Sequence, residues 1–189
     1  NNAGRREKAF MAIIYEDALK AQLKLKNTLP VYVIAGDDGY LKQLYVDKII
    51  SLSADKDDVF NFQRFNAGCD LQEVYDSLSQ LPVMADKKCA VLCDYDFEHC
   101  SKSELEKLYL LASDTADTAV LIIWFDSLEF DVKKSAKFKK LVSSAEKGGG
   151  AAVLLNHRKT PELVKMLETG AAKRECRFGT GTARYLVEA

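Results

Sequence analysis

Five short apolar segments recur along the chain, separated by stretches in which the apolar residues are spaced differently. The first, third, fourth and fifth segments are continuously apolar, which is typical of strands buried on both faces of a parallel sheet. The second alternates between apolar and polar residues and therefore suits an edge strand. The segments are VYVIAG (31–36), VFNFQRFNA (59–67), CAVLCD (89–94), AVLIIWFD (119–126) and AAVLLNH (151–157).

Apolar residues between these segments lie three and four positions apart, which is the spacing of amphipathic helices. Examples are Leu41, Leu44, Tyr45 and Ile49 after the first segment, and Leu71, Val74, Tyr75 and Leu78 after the second. A further helical pattern, EDALKAQLKLK, precedes the first strand. This alternation predicts a doubly wound α/β fold, with a parallel five-stranded sheet and helices on both faces.

The pattern changes after residue 157, where KTPELVKMLETGAAKREC combines a threonine cap and a proline with helical spacing. No further strand is predicted beyond this point. We therefore expect an α/β domain over residues 11–157 and the start of a small helical domain over 158–189, which ends inside the helical pattern TARYLVEA. Residues 1–10 are interpreted as a tag remnant or an extension.

The charge of the chain is nearly balanced, with 27 Lys and Arg against 28 Asp and Glu among its 189 residues. No overall field therefore favours nucleic acid, an acidic substrate or a membrane surface. The longest apolar run, AVLIIWF at 119–125, is far shorter than the roughly 20 residues that cross a bilayer. We expect a cytoplasmic protein with no membrane partner.

The cysteines and histidines do not form a recognisable reactive or metal-binding pattern. The five cysteines lack the CxxC spacing of zinc sites, and Cys89 and Cys93 would lie about 13 Å apart along one strand. Neither His99 nor His157 has the partners of a catalytic or metal site in the sequence. We expect reduced, buried thiols, no bound metal and no cofactor.

The glycine turn after the first strand has the geometry of a phosphate-binding loop, because a strand, a glycine turn and a helix offer backbone N–H groups to an anion. A P-loop reads GxxxxGK[ST]. Here Gly36, Asp37, Asp38, Gly39 and Lys42 have the wrong spacing, and no hydroxyl follows the lysine. The two carboxylates would repel a phosphate, so we expect no nucleotide to bind, and a divergent P-loop nucleotide hydrolase is the weakest of three hypotheses.

A second hypothesis is a Mg²⁺-dependent phosphoacceptor domain of the receiver type. Such domains place acidic residues after the first and third strands and a lysine after the fifth. Asp37, Asp38, Asp94 and Lys159 imitate this arrangement, and carboxylates suit a hard cation. The ordinary reason for Asp at strand ends is helix capping and turn formation.

Three motifs in order resemble the delta subunit of the bacterial DNA polymerase III clamp loader. They are GDDGYL (36–41), FNFQRF (60–65) and TPELVKM (160–166), and together they span nearly the whole chain from Met11. The resemblance implies an AAA+-type, P-loop NTPase-like fold whose nucleotide site has decayed, followed by a helical lid domain. It also implies a subunit without activity of its own within DNA polymerase III holoenzyme, which is a nucleotidyltransferase.

The same resemblance implies the partners. The family's contact with the β sliding clamp follows the helix after the second strand, where Gln80, Leu81, Val83 and Met84 also look like the clamp-binding pattern QLxLF. Pro82 ends the helix there, so apolar residues could be exposed. The alternative is that Leu81, Val83 and Met84 only close the core under the third strand. Contacts with the gamma/tau and delta prime subunits belong to a collar domain, which we expect to be absent from this chain.

A lysine-rich helix is predicted over residues 132–148. It carries Lys133, Lys134, Lys137, Lys139, Lys140 and Lys147. Because a clamp loader acts beside DNA, a phosphate contact by this helix is conceivable. A solvated helix face is the more ordinary interpretation, so we expect DNA to be at most an indirect or weak partner.

Overall fold

The computed structural model describes residues 13–188, which form two compact units. The first unit ends at Leu155 and the second begins at Asn156, slightly before the boundary that the sequence pattern suggested. The segment interpreted as a tag remnant or extension, residues 1–10, lies outside the described residues. No helix within 13–188 has the length and apolar character needed to cross a membrane.

A six-stranded sheet forms the centre of the first unit, and every pair of neighbouring strands is parallel. The strands are β1 (Ile13–Tyr15), β2 (Val31–Ala35), β3 (Phe62–Phe65), β4 (Lys88–Cys93), β5 (Ala119–Trp124) and β6 (Ala151–Leu154). Their order across the sheet is β1-β6-β2-β5-β4-β3. The predicted parallel α/β sheet is therefore confirmed.

Helices connect the strands and also make up the second unit. In the first unit they are α1 (Glu16–Lys24), α2 (Gly39–Ser53), α3 (Leu71–Ser79), α4 (Lys102–Ser113) and α5 (Ala136–Lys147). In the second unit, α6 (Thr160–Ala172) and α7 (Thr182–Glu188) contact each other.

The predicted number of five strands is wrong, because β1 is a sixth strand. It pairs with β6 at the sheet edge, where Ile14 lies opposite Val153. A strand of three residues that runs directly into a helix shows neither alternation nor a flanking turn, and those are the signals by which strands are recognised in a sequence.

Helices cover both faces of the sheet, and the strands are accordingly apolar on both sides. Val31 and Val33 of β2 pack with apolar residues of α3, α4 and α5, whereas Tyr32 and Ile34 of the same strand pack with residues of α1 and α2. Both layers are almost fully excluded from water. This two-sided burial is the reason why four of the five predicted segments are continuously apolar.

The second predicted segment does form an edge strand, but a shorter one than residues 59–67. Only Phe62–Phe65 pairs with β4. The residues before it form a turn in which the Asp58 carbonyl accepts hydrogen bonds from the N–H groups of Asn61 and Phe62. This turn redirects the chain at the point where the alternating pattern predicted the beginning of the strand.

The lysine-rich helix also begins later than predicted. Ser135 caps α5 by accepting a hydrogen bond from the Phe138 N–H, so the helix starts at Ala136 rather than at residue 132. Upstream, the Asp131 carboxylate accepts from the N–H groups of Lys133 and Lys134 and holds a turn. Side chains that compete for backbone N–H groups in this way favour turns and caps over helix interiors.

Candidate functional site

The loop between α3 and β4, residues 80–87, exposes a row of apolar side chains; we refer to it as the α3–β4 loop. Leu81 and Met84 are exposed, and Val83 retains 51% of its surface accessible to solvent. These side chains therefore do not close the core under β4, which was the alternative interpretation. Large apolar side chains grouped at one exposed position are typical of interaction sites.

Met84 has the most unusual backbone in this loop. Its φ of 53° lies in the left-handed region, which side chains with a Cβ rarely adopt. Its side chain is completely exposed, at 103% of the reference value. The loop thus keeps an apolar residue in a costly conformation without burying it.

Asn61 fixes this loop from the start of β3. Its side chain is buried, with 2% of the residue surface exposed. The Oδ1 atom accepts a hydrogen bond of 2.8 Å from the Val83 N–H, and Nδ2 donates one of 2.8 Å to the Val83 carbonyl. Nδ2 also donates to the Asp58 carboxylate at 2.6 Å, and this hydrogen bond lowers the pKa of Asp58.

Two lysines hold the ends of the same loop. Lys88, the buried first residue of β4, donates to the Gln80 side-chain oxygen at 3.1 Å. Lys87 donates to the carbonyl and hydroxyl oxygens of Thr28, at 3.0 and 3.1 Å. The predicted binding residue Gln80 therefore already has an intramolecular partner, although it lies at the surface. The loop is tied to the sheet domain at three points.

Sequence reasoning missed three residues next to this loop. Val59 and Phe60 are exposed, and Asn61 is buried, which is the reverse of what an alternating strand implies for Phe60 and Asn61. Hydrogen bonding by Asn61 brings this segment beside Val83. The signal that could have found them is the pair Asp57 and Asp58, because Asp before a strand favours a turn.

The glycine turn after β2 is packed against the end of β6. Gly36 has φ of 129°, and a Cβ atom there would lie 2.0 Å from the Leu155 carbonyl oxygen. The same oxygen accepts from the Asp38 N–H at 3.1 Å. The Asp38 carboxylate in turn caps α2 by accepting from the Leu41 N–H at 2.9 Å. Gly39 is the first residue of α2, and Asp37 is exposed beside it.

Lys42, which follows the glycine turn, is buried on the first turn of α2. Its ammonium group donates to the carbonyl oxygens of Phe125 and Asp126, at 2.9 and 2.8 Å. These carbonyls follow the end of β5. The ammonium group of Lys42 is thus bound to the backbone that follows β5 and holds that segment in place.

Asp94 has a similar structural role at the end of β4. Its φ is 51°, and its carboxylate accepts hydrogen bonds from the N–H groups of Asp126, Ser127 and Leu128 at distances of 2.7 to 3.2 Å. Successive N–H groups that point into one concavity form an anion-binding site. Here the protein's own carboxylate fills that site.

The positions of Asp94 and Lys159 do not favour the phosphoacceptor hypothesis. Asp94, which would have to accept the phosphoryl group, is bound by three backbone N–H groups. Lys159 precedes the first turn of α6 in the second unit. Within the described range, residues 13–188, no three His, Cys, Asp or Glu side chains are grouped so that they could hold a metal ion.

Several of the predicted surface lysines have intramolecular partners. Lys140 lies 2.9 Å from the Glu106 carboxylate and 4.4 Å from the centre of the Tyr109 ring. Lys137 donates to the Glu98 carbonyl, and Lys134 pairs with Asp131 at 3.4 Å. The two carboxylate pairs partly offset the charges of Lys134 and Lys140, while the carbonyl contact holds the Lys137 ammonium group without neutralising it.

The cysteines are all free, but only Cys89 is fully buried, so the expectation of buried thiols holds for that residue alone. Burial raises the pKa of Cys89 to about 12. The pKa of Cys93 is raised to about 11, chiefly by burial and further by the neighbouring Asp94. Since the thiolate is the reactive form, neither thiol is activated.

Comparisons with known proteins give consistent results. A family model described as "DNA polymerase III, delta subunit" matches residues 32–147. The DNA clamp loader delta protein YqeN of Bacillus subtilis is similar in structure, with a TM-score of 0.67 at 20% identity, over 94% of this chain and 52% of that one. A DNA polymerase III gamma subunit-related protein of Thermotoga maritima matches with a TM-score of 0.52 at 14% identity, over 89% and 57%.

The chain therefore spans a little over half the length of each of these two solved structures. At such low identity, the structural matches show a shared fold. No significant match was found among curated protein sequences.

Proposed function

The chain belongs to the DNA polymerase III delta-subunit family, and on that basis we propose that it binds and opens the β sliding clamp within a clamp loader. The first unit is the clamp-binding domain, with an AAA+-type fold and a degenerate nucleotide loop. The second unit belongs to a helical lid. The task is mechanical, and the chain has no catalytic residue of its own in this proposal.

The observation that carries the proposal is the exposure of Val83 and Met84 on an anchored loop. Free of a partner, these side chains contact water, which is unfavourable for apolar surface. A pocket on the clamp would remove both from water while their backbone stays in place. Met suits such a pocket because its unbranched side chain adapts to irregular shapes.

Opening a ring requires a preference for the open form. A subunit shifts the equilibrium between closed and open clamp only by the difference between its affinities for the two forms. In our proposal, Val83 and Met84 anchor the contact, while α3 presses beside the clamp's subunit interface. The open ring then binds more tightly, and no covalent step is needed.

The contacts of Lys42 and Asp94 support a role without nucleotide hydrolysis. Lys42 is held by the carbonyls that follow β5, and Asp94 occupies the N–H groups of residues 126–128. Hydrolysis would need a lysine that reaches the phosphates and a hydroxyl for Mg²⁺. The energy for loading must then come from ATP bound to other subunits of the complex.

The remaining partners follow from the same family. We propose that gamma/tau and delta prime bind through the family's collar domain, and that DNA is contacted weakly or indirectly. The intramolecular contacts of Lys134, Lys137 and Lys140 support a weak rather than a strong contact with DNA. Because a clamp loader works on the chromosome, the proposal places the protein in the cytoplasm.

The decisive experiment replaces both anchors, as Val83→Ser with Met84→Ser, and titrates the variant with β clamp by calorimetry. Removing two apolar interface anchors should weaken binding by about 2 to 4 kcal/mol, roughly 30- to 700-fold in Kd. The thermal midpoint should not change, because Met84 is exposed and Val83 half exposed.

A matched control is Tyr185→Ser with Leu186→Ser, another adjacent and exposed apolar pair, on α7 of the second unit. It should leave the affinity unchanged. Wild-type affinity in the Val83 and Met84 variant, together with an unchanged melting temperature, would show that the clamp is bound elsewhere or not at all.

A further inference from the structure

Asn61 joins two parts of the chain that are 22 residues apart, and it does so with both ends of its amide. We propose that Asn61 is a positioning residue, which holds the α3–β4 loop in its docking conformation before the clamp arrives. This inference rests on the proposed function. It concerns a residue that need not touch the clamp at all.

The geometry imitates one step of a β-ladder. An amide side chain has the same donor and acceptor as a backbone peptide, and Asn61 offers both to the N–H and carbonyl of Val83 at 2.8 Å each. Because the two hydrogen bonds engage the peptide groups before and after Val83, they fix its backbone on both sides. The direction of the Val83 side chain is fixed with it.

The orientation of the amide is also determined. Its second N–H group donates to the Asp58 carboxylate at 2.6 Å. A flipped amide would turn its oxygen towards that carboxylate and its NH₂ group towards the Val83 N–H, which would lose every one of these bonds. Burial of the side chain strengthens the arrangement, since water does not compete for its hydrogen bonds.

The residues held in this way contribute little to the core. Leu81 and Met84 are exposed, and Val83 is half exposed. The folded unit therefore gains little apolar burial from ordering the loop. Binding becomes tighter instead, because the loop loses its conformational entropy when the chain folds and not when the clamp docks. The left-handed backbone of Met84 is likewise set in advance.

The test compares Asn61→Ala with the wild-type chain in three measurements. These are the clamp Kd by calorimetry, the ¹⁵N heteronuclear NOE of the Val83 and Met84 amides, and the Kd of a synthetic peptide of residues 79–86. We expect the variant to bind roughly 10- to 100-fold more weakly, which approaches the peptide's affinity without falling below it. The NOE values of both amides should fall.

Two controls separate positioning from general stability. Ile123→Val trims the buried centre of β5 and lowers stability without touching the loop, so its Kd and its NOE values should match the wild type. Asn66→Ala removes an exposed amide just beyond the other end of β3 and should change nothing. If Asn61→Ala does not fold, Asp58→Ala is the second variant: it removes the carboxylate that orients the amide but keeps both Asn61 hydrogen bonds to Val83 available, so it should give an intermediate loss of affinity.

The outcomes distinguish this inference from the proposed function. Wild-type affinity in Asn61→Ala, with binding lost in the Val83 and Met84 serine variant, overturns the inference alone. A loss of affinity with unchanged NOE values also overturns it, because the loop would then be ordered without Asn61. If the serine variant binds normally, the proposed function itself fails.

Discussion

Replacing Met84 by glycine should make the protein more stable and the clamp complex weaker at the same time. The backbone of Met84 lies at φ 53°, where a residue with a Cβ pays about 1 to 2 kcal/mol and glycine does not. Glycine adds conformational freedom to the unfolded chain, at a cost of about 0.5 to 1 kcal/mol. The difference between the midpoints of these ranges is a gain of about 0.75 kcal/mol in the free energy of unfolding.

Binding should change in the opposite direction. The Met84 side chain is fully exposed in the free chain, so its removal costs the fold no packing. If it enters a clamp pocket, the complex loses the burial of a Met side chain, about 1.5 to 3 kcal/mol, or roughly 10- to 150-fold in Kd. A change that strengthens the fold and weakens the complex would identify Met84 as a residue retained for binding.

The assays are urea unfolding and calorimetric titration with β clamp. A stability gain of this size corresponds to a thermal shift of about 1 to 4 °C for a chain of this length. Met84→Ala serves as one control, since it removes the side chain but keeps the backbone cost, so its binding should weaken without added stability. Lys26→Gly is the other, because Lys26 has the same φ of 53° after α1, and it should add stability without affecting binding.

Two results would refute this reasoning. If Met84→Gly and Lys26→Gly both leave the free energy of unfolding unchanged, the left-handed backbone at these positions does not destabilise the fold. If Met84→Gly binds the clamp as tightly as the wild type, the Met84 side chain is not an anchor.

Three further predictions concern the rest of the first unit. Asp94→Ala should lower the free energy of unfolding by about 1 to 3 kcal/mol in urea, because three N–H groups lose a charged acceptor, and Asp94→Asn should lose less. Lys42→Met should lower the free energy of unfolding by a similar amount, because the carbonyls of Phe125 and Asp126 lose their hydrogen-bond donor. Mg²⁺ with ATP should not shift the thermal midpoint of either this variant or the wild type. Iodoacetamide at pH 8 should modify the exposed Cys176 well before the buried Cys89, as followed by mass spectrometry. The pKa of Cys89 is raised to about 12 in the fold, so its thiol stays protonated there at pH values that ionise it in the unfolded chain. The stability that comes from burying the neutral Cys89 thiol should therefore be present below about pH 9 and decline above it.

The sheet was largely predictable from the sequence because its strands are buried on both sides. A continuous run such as AVLIIWF can hardly be anything but a central strand when helical patterns flank it. β1 was not predictable on these grounds, because three residues hold no period. The turn at residues 58–61 was missed because the apolar alternation outweighed the local signal of Asp57 and Asp58. The contact between Asn61 and Val83 could not be predicted from apolar spacing, because it joins residues 22 positions apart.

The candidate site shows the same division. Val83 and Met84 were chosen from the family resemblance, and only their exposure was suggested by a local feature, the helix end at Pro82. The roles of Lys42 and Asp94 could not be predicted, because each depends on backbone groups brought close by the sheet. Asp94 contacts residues 126–128 because β4 and β5 are neighbouring strands. A sequence shows that a lysine is present, but the fold decides which way its ammonium group points.

The order of the strands also determines when the sheet can form as the chain leaves the ribosome. β2 lies between β5 and β6, so a strand completed by residue 35 has no neighbour until residue 124 has been synthesised and lacks its second neighbour until residue 154. During that interval an entirely apolar segment with open edges is accessible to other chains. Contacts of such long sequence separation form slowly, so nascent chains of this protein should depend on holding chaperones until β6 emerges.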